Sequence, residues 1–146
     1  MSLPRILMIE DNDADIMLLQ IVLTKELGEH RFEVIPDGQA AIEFIRLHRN
    51  GMHEPHPCVI VLDLHLPRHD GLTVLQEVKQ APALNHIHVV VLSSMATPAQ
   101  QEQIDALGAY FREKPSNLDA FESLAGFIRE LCHKSLSATA SSEYQS

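Results

Sequence analysis

Residues Val59 to Gly71 read VIVLDLHLPRHDG. With Cys58 in front, an apolar run continues unbroken to Leu62 and stops at the carboxylate of Asp63. A short continuous apolar run bounded by turn residues is the pattern of a strand covered on both faces, at the centre of a parallel sheet. The LPRHDG that follows turns the chain, with Pro67 fixing one backbone angle and Gly71 closing the segment. Packing gives no reason for an acid at the end of a central strand, so Asp63 asks what meets it there.

Outward from this stretch the chain alternates. Ile6 to Ile9 reads as a buried strand, and Asp15 to Leu27 carries Ile16, Leu19, Leu23 and Leu27 at helical spacing before Gly28 stops it. Phe32 to Ile35 alternates as an edge strand should, and Pro36-Asp37-Gly38 leads into a helix with Ala41, Phe44, Ile45 and His48 on one face. Residues 51–57 form a loop. Past the LPRHDG turn, Leu72, Leu75, Val78 and Lys79 trace a third helix, closed by Pro82. Ile87 to Leu92 is a fourth strand. Thr97-Pro98-Ala99-Gln100 combines a capping threonine, proline at the first helical position and a glutamine that can bond back, and that helix ends at Gly108. Ala109 to Arg112 makes a fifth strand, and from Asn117 a last helix lines up Phe121, Leu124, Ile128 and Leu131.

Five strands alternating with five helices require an α/β fold, a parallel sheet with right-handed crossovers placing helices on both faces. An edge-like second strand and a central third fit a doubly wound five-stranded sheet in the order 2-1-3-4-5. Residues 1–134 form the expected domain. The small, polar, aperiodic residues 135–146 are expected to be a disordered Ser-rich C-terminal tail with no effector domain after it.

Twenty Asp and Glu against eleven Lys and Arg give a formal charge of -9, which repels nucleic acid phosphates. Apolar runs fall far short of the ~20 residues of a membrane helix, and the N-terminus lacks a signal-peptide pattern. The expectation is a cytoplasmic protein that binds neither membrane nor nucleic acid. Cys58 and Cys132 show no metal or redox spacing, so they read as small buried or half-buried apolar residues in a reducing compartment. His53, His56, His86 and His88 lack the helical i, i+4 spacing of a zinc site and read as solvated surface.

In open parallel sheets, ligands bind outside the carboxyl ends of the strands. Those ends carry Glu10-Asp11, Asp63, Ser93-Ser94 and Lys114-Pro115, which therefore converge on one crevice. Crowded carboxylates repel one another unless a hard cation relieves them, and Mg²⁺ suits an oxygen-rich, incompletely filled shell. With that charge and Lys114 in place, Asp63 can act as an oxygen nucleophile toward a phosphoryl group, and Ser93 can donate a hydrogen bond to its oxygens. Asp13 and Asp15 read more simply as capping and charge at the first helix's N-terminus.

The combination of EDNDAD, VLDLHLPRHDG, LSS and EKP, each after its strand, resembles the response-regulator receiver domain of two-component signalling, a flavodoxin-like fold. The EDN start, the long insert before the third strand and the LPRxDG turn look like stand-alone regulators that pair with bacterial phytochromes. The resemblance implies Asp63 as phosphoacceptor, Glu10 and Asp11 as the acidic metal pair, and the main-chain carbonyl of His65 as a further Mg²⁺ ligand. It places Ser93 at the hydroxyl position, Lys114 at the phosphate-binding lysine and Phe111 at the aromatic switch. His65 departs from the more common Asn, and Ser93 from the more frequent Thr, whose β-branch restricts its rotamers.

By the same resemblance, a sensor histidine kinase such as a bacteriophytochrome supplies the phosphoryl group, and the protein is a signalling phosphoacceptor rather than a turnover enzyme. The signal would leave through a protein-interaction surface. The broad apolar arc of the last helix, including Leu118 and Phe127, together with Tyr110, is a candidate homodimer or partner surface. The rival is a Mg²⁺-dependent phosphohydrolase with an Asp nucleophile, but His65 stands where such enzymes carry a second acid. A calcium loop at Asp11 to Asp15 fails because Ile16 and Val22 occupy its glycine and glutamate positions. A flavin site fails because Glu10 and Asp11 would repel its phosphate.

Overall fold

The computed structural model describes residues 3–51 and 56–145, with side chains described as far as residue 135. Its elements run β1 (Arg5–Ile9), α1 (Asp13–Leu27), β2 (Arg31–Ile35), α2 (Gly38–His48), β3 (Val59–Asp63), α3 (Gly71–Gln80), β4 (His88–Ser93), α4 (Pro98–Ala106), β5 (Tyr110–Glu113) and α5 (Leu118–Gln145). All strand pairs are parallel and the order is β2-β1-β3-β4-β5. The doubly wound α/β reading therefore holds. Every residue of β3 is buried, as its unbroken apolar run requires, while β2 lies at an edge and keeps Arg31, Glu33 and Val34 exposed.

Two apolar layers flank the sheet. On one face Leu7, Ile9, Ile60 and Leu62 meet α2, α3 and Ile104 of α4. On the other, Ile6, Met8, Val59 and Val61 meet Leu19, Val22 and Leu23 of α1 and Phe121, Leu124, Ile128 and Leu131 of α5. Alternate residues of each strand thus feed opposite layers, as the period of two along a strand requires. Most of the apolar arc of α5 is spent here. Leu118 remains exposed, and Phe127 packs edge-on to Tyr110 at 5.3 Å and beneath the Arg112 guanidinium at 4.2 Å.

Several sequence expectations need correction. Helix α1 starts at Asp13, because Asn12 is the cap and accepts from the Asp15 N–H. Val22 belongs to its buried stripe, whereas Ile16 and Leu27 are half-buried. The expected disordered tail continues as α5 to Gln145. Ala and Ser carry only modest helical penalties, and extending an established helix avoids a new nucleus. Cys58 and Cys132, read as separate thiols, form a disulfide with Cα atoms 5.5 Å apart. The start of β3 lies against the middle of α5, a juxtaposition across 74 residues that no local spacing conveys. His56 and His88 are half-buried, beside His48 and Tyr110, rather than solvated; His53 lies outside the described residues.

Candidate functional site

Parallel registry puts the strand ends on one level. Ile9 faces Leu62, Asp63 faces Leu92, and Ser93 faces Glu113, so Glu10, Asp63, Ser93 and Lys114 emerge at the same mouth of the sheet. The turn after β3 is built for close approach. A Cβ on Gly71 would stand 2.5 Å from the Asp63 carbonyl oxygen and 2.7 Å from Leu64 Cα. Only glycine lets α3 begin against the end of β3. Asp70 caps that helix by accepting from the Thr73 N–H at 2.9 Å.

Within the mouth, Glu10, Asp63 and Ser93 are 1%, 5% and 1% exposed. Lys114 Nζ lies 2.8 Å from Glu10 Oε1, 3.2 Å from Asp63 Oδ2 and 3.3 Å from Asp15 Oδ2. Glu10 Oε2 accepts from the backbone N–H of Asp11 at 3.0 Å and of Asn12 at 3.4 Å. Asp63 Oδ1 accepts from the His65 N–H at 3.0 Å. Ser93 Oγ accepts from the Met95 N–H at 3.1 Å and lies 3.2 Å from His65 Nε2. Asp11 is exposed at the rim.

The electrostatics follow from burial. Desolvation, reinforced by the hydrogen bond to Asp63, pushes the Glu10 carboxyl up from 4.5 to about 7 against the opposing pull of Lys114. Burial also disfavours the Lys114 ammonium, but its bond to Glu10 and the charge of Asp63 outweigh that and raise its pKa. One lysine leaves the acid pair underneutralised.

Carboxylate oxygens of Glu10, Asp11 and Asp63 lie within 4.8 Å of one another. Glu10 Oε1 is buried, and the Lys114 ammonium at 2.8 Å is the contact it makes. Three carboxylates clustered this closely, with one lysine to neutralise them, make an all-oxygen donor set that fits a hard divalent cation.

The structure thus brings together all the acids, the serine and the lysine picked out in sequence. Phe111 is half-buried on β5, opposite Val91 and packed against the apolar layer that holds Ile104. Two contacts escaped sequence reasoning. Asp15 does sit with Asp13 in the first turn of α1, where their charge was expected, but the cap is Asn12 and Asp15 also pairs with Lys114. The ring of His65 reaches Ser93, 28 residues away, and only the strand order could have signalled it.

A doubly wound sheet with buried acids, a hydroxyl and a lysine at its carboxyl mouth defines the receiver class of domain. Residues 6–125 match the response regulator receiver domain, and the chain belongs to that family. Response regulator Rcp1 of Synechocystis sp. is 43% identical over 89 residues, 61% of this chain and 60% of the relative. The probable methanogenesis regulatory protein FilR2 of Methanothrix harundinacea is 39% identical over 89 residues, 61% and 57% of the two chains. The chain thus spans about three-fifths of the length of these curated relatives. Among solved structures, the phosphorylated cyanobacterial phytochrome response regulator RcpA superposes with a TM-score of 0.79 at 31% identity, covering 92% of this chain and 96% of that one. The Mn²⁺-bound form of Rcp1 gives 0.74 at 34% identity, covering 86% and 91%.

Proposed function

We propose that this protein is a response regulator that takes a phosphoryl group on Asp63 from the phosphohistidine of a sensor histidine kinase. The observation that carries the reading is the placement of Lys114 Nζ 3.2 Å from Asp63 Oδ2, inside a buried acid cluster. An Asp63 oxygen attacks phosphorus, the N–P bond breaks, and the kinase imidazole leaves with the bonding electron pair. Lys114 then faces the phosphoryl oxygens. Glu10, Asp11 and Asp63 side chains, with the His65 carbonyl, would hold Mg²⁺, which neutralises charge on the transferring group when bound. Ser93 donates to a phosphoryl oxygen, and Phe111 repacks behind it, so the face formed by α4, β5 and α5 switches between two arrangements.

The similarity to RcpA, itself described as a phytochrome response regulator, supports a bacteriophytochrome as the kinase. The signalling unit ends near Lys134, just past Leu131 and Cys132, the last buried residues among the described side chains. No helix among the described residues is long and apolar enough to cross a membrane, and a kinase partner of this kind supports a cytoplasmic place. The Cys58–Cys132 disulfide pulls the other way, since such bonds are rare in reducing compartments. Trapping free thiols in fresh lysate decides that point. Output passes through protein contact, with the half-exposed Tyr110, Arg112 and Phe127 cluster as the proposed partner or homodimer face.

The test is incubation with a radiolabelled, autophosphorylated sensor kinase in Mg²⁺. One label per chain, absent from Asp63→Asn and released by hydroxylamine as an acyl phosphate should be, supports the reading. Continuous release of phosphate from monoesters over many turnovers would replace it with hydrolysis.

A further inference from the structure

Ser93 has no β-branch, so nothing in its own covalent structure fixes the direction of its hydroxyl. Its surroundings do so instead. One Oγ lone pair is taken by the Met95 N–H at 3.1 Å, and the ring of His65 stands 3.2 Å away at Nε2. Ring and hydroxyl can share one hydrogen bond here, the hydroxyl donating to Nε2 when the ring proton sits on Nδ1 and accepting when it sits on Nε2. His65 touches the other side of the site as well, since its backbone N–H donates to Asp63 Oδ1 at 3.0 Å. One residue therefore grips the acceptor through its backbone and the hydroxyl through its ring.

We propose that His65 is a positioning residue whose ring holds the Ser93 hydroxyl at rest, so that phosphorylation of Asp63 must break the His65–Ser93 contact before the switch can complete. The inference rests on Asp63 being the acceptor. While Oγ is held between the Met95 amide and the His65 ring, it is not turned toward a phosphoryl oxygen on Asp63. Turning it inward releases His65 and the Met95 amide together, so the loop after β4 follows. The contact stabilises only the resting arrangement, and by population-shift reasoning it weakens every ligand that needs the other one.

The size of the effect is that of one ordinary net hydrogen bond, roughly three- to tenfold in the switching equilibrium. The probe is beryllofluoride, a phosphoryl mimic, titrated in Mg²⁺ and followed by the Met95 amide signal in nitrogen-15 spectra. His65→Ala should bind it roughly three- to tenfold more tightly than wild type, and His65→Gln, whose amide oxygen can again accept, should move back toward wild type. In a Ser93→Ala background the His65→Ala change should have no further effect, because the group it holds is gone. A merely structural role for His65 would give the same change in both backgrounds. Without any ligand, His65→Ala should already shift the Met95 amide signal.

Unaltered or weaker beryllofluoride binding by His65→Ala, additive effects in the double variant, or an unmoved Met95 signal would each overturn the proposal. Wild-type protein that fails to bind the mimic at all would be a different failure, removing the phosphoacceptor reading and this inference with it.

Discussion

Glu10 is 1% exposed, and its carboxyl is pushed from 4.5 to about 7, chiefly by burial and then by Asp63. A folded state that holds a proton more tightly than the unfolded one is favoured at low pH. The stabilisation is fully present below pH 4.5 and is lost as pH rises through about 7. At about 1.4 kcal/mol per unit, the whole shift corresponds to an upper bound of about 3 kcal/mol. Glu10→Gln removes the titrating group while keeping its shape. In chelator, the stability of the variant relative to wild type should therefore grow by up to about 3 kcal/mol between pH 4.5 and pH 8. Saturating Mg²⁺ should restore wild type most at the alkaline end, by about 2.7 kcal/mol at a hundred times its dissociation constant. Urea unfolding followed by far-ultraviolet circular dichroism measures this, since the chain has no tryptophan. Parallel stability curves for the two proteins across that range would refute the account of a strained acid pair.

Other outcomes follow from single contacts. Gly71→Ala should destabilise the fold by about 1–3 kcal/mol in the same unfolding assay, because the atoms its Cβ would strike are backbone atoms of Asp63 and Leu64; a neutral result contradicts the close approach of α3 to β3. Cys132→Ser should cost about 4 kcal/mol under oxidising conditions, from a cross-link between residues 74 apart. Addition of reductant should erase most of the difference between the two proteins, and identical unfolding midpoints before reduction would contradict the bond. His88 is held below the usual histidine range by burial, then by Lys79, Lys134 and His86. It therefore contributes stability above the ordinary histidine pKa of 6.5 that is lost as pH falls through its lower folded value. His88→Gln should flatten that acid limb, and an unchanged limb would count against the burial argument.

The parts of the fold that were legible in sequence were those with a local physical cause. The apolar run before Asp63 announced a central strand, the alternation of Phe32 to Ile35 an edge, and the Thr97 to Gln100 capping box is formed by both of its bonds. The site was legible because strand order turns four distant sequence positions into neighbours, and that order follows from covering rules rather than from any one residue. Contacts made across the fold were not. Cys132 meets Cys58 only because α5 lies along the start of β3. Asp15 meets Lys114 across the fold, from the first turn of α1 to the residue after β5. The helical stretch beyond residue 135 failed to show because Ser and Ala lack an apolar period, although their backbone continues a helix at little cost.

The claim at the centre is that the acids at the sheet mouth form one divalent site that brings a phosphoryl group to Asp63. Intact-mass measurement after incubation with a small-molecule acyl phosphate, with Mg²⁺ or with chelator, tests it most directly. One phosphoryl group should be added in Mg²⁺, none in chelator, and none to Asp63→Asn under either condition. Equal uptake by Asp63→Asn, or uptake indifferent to the metal, would contradict it.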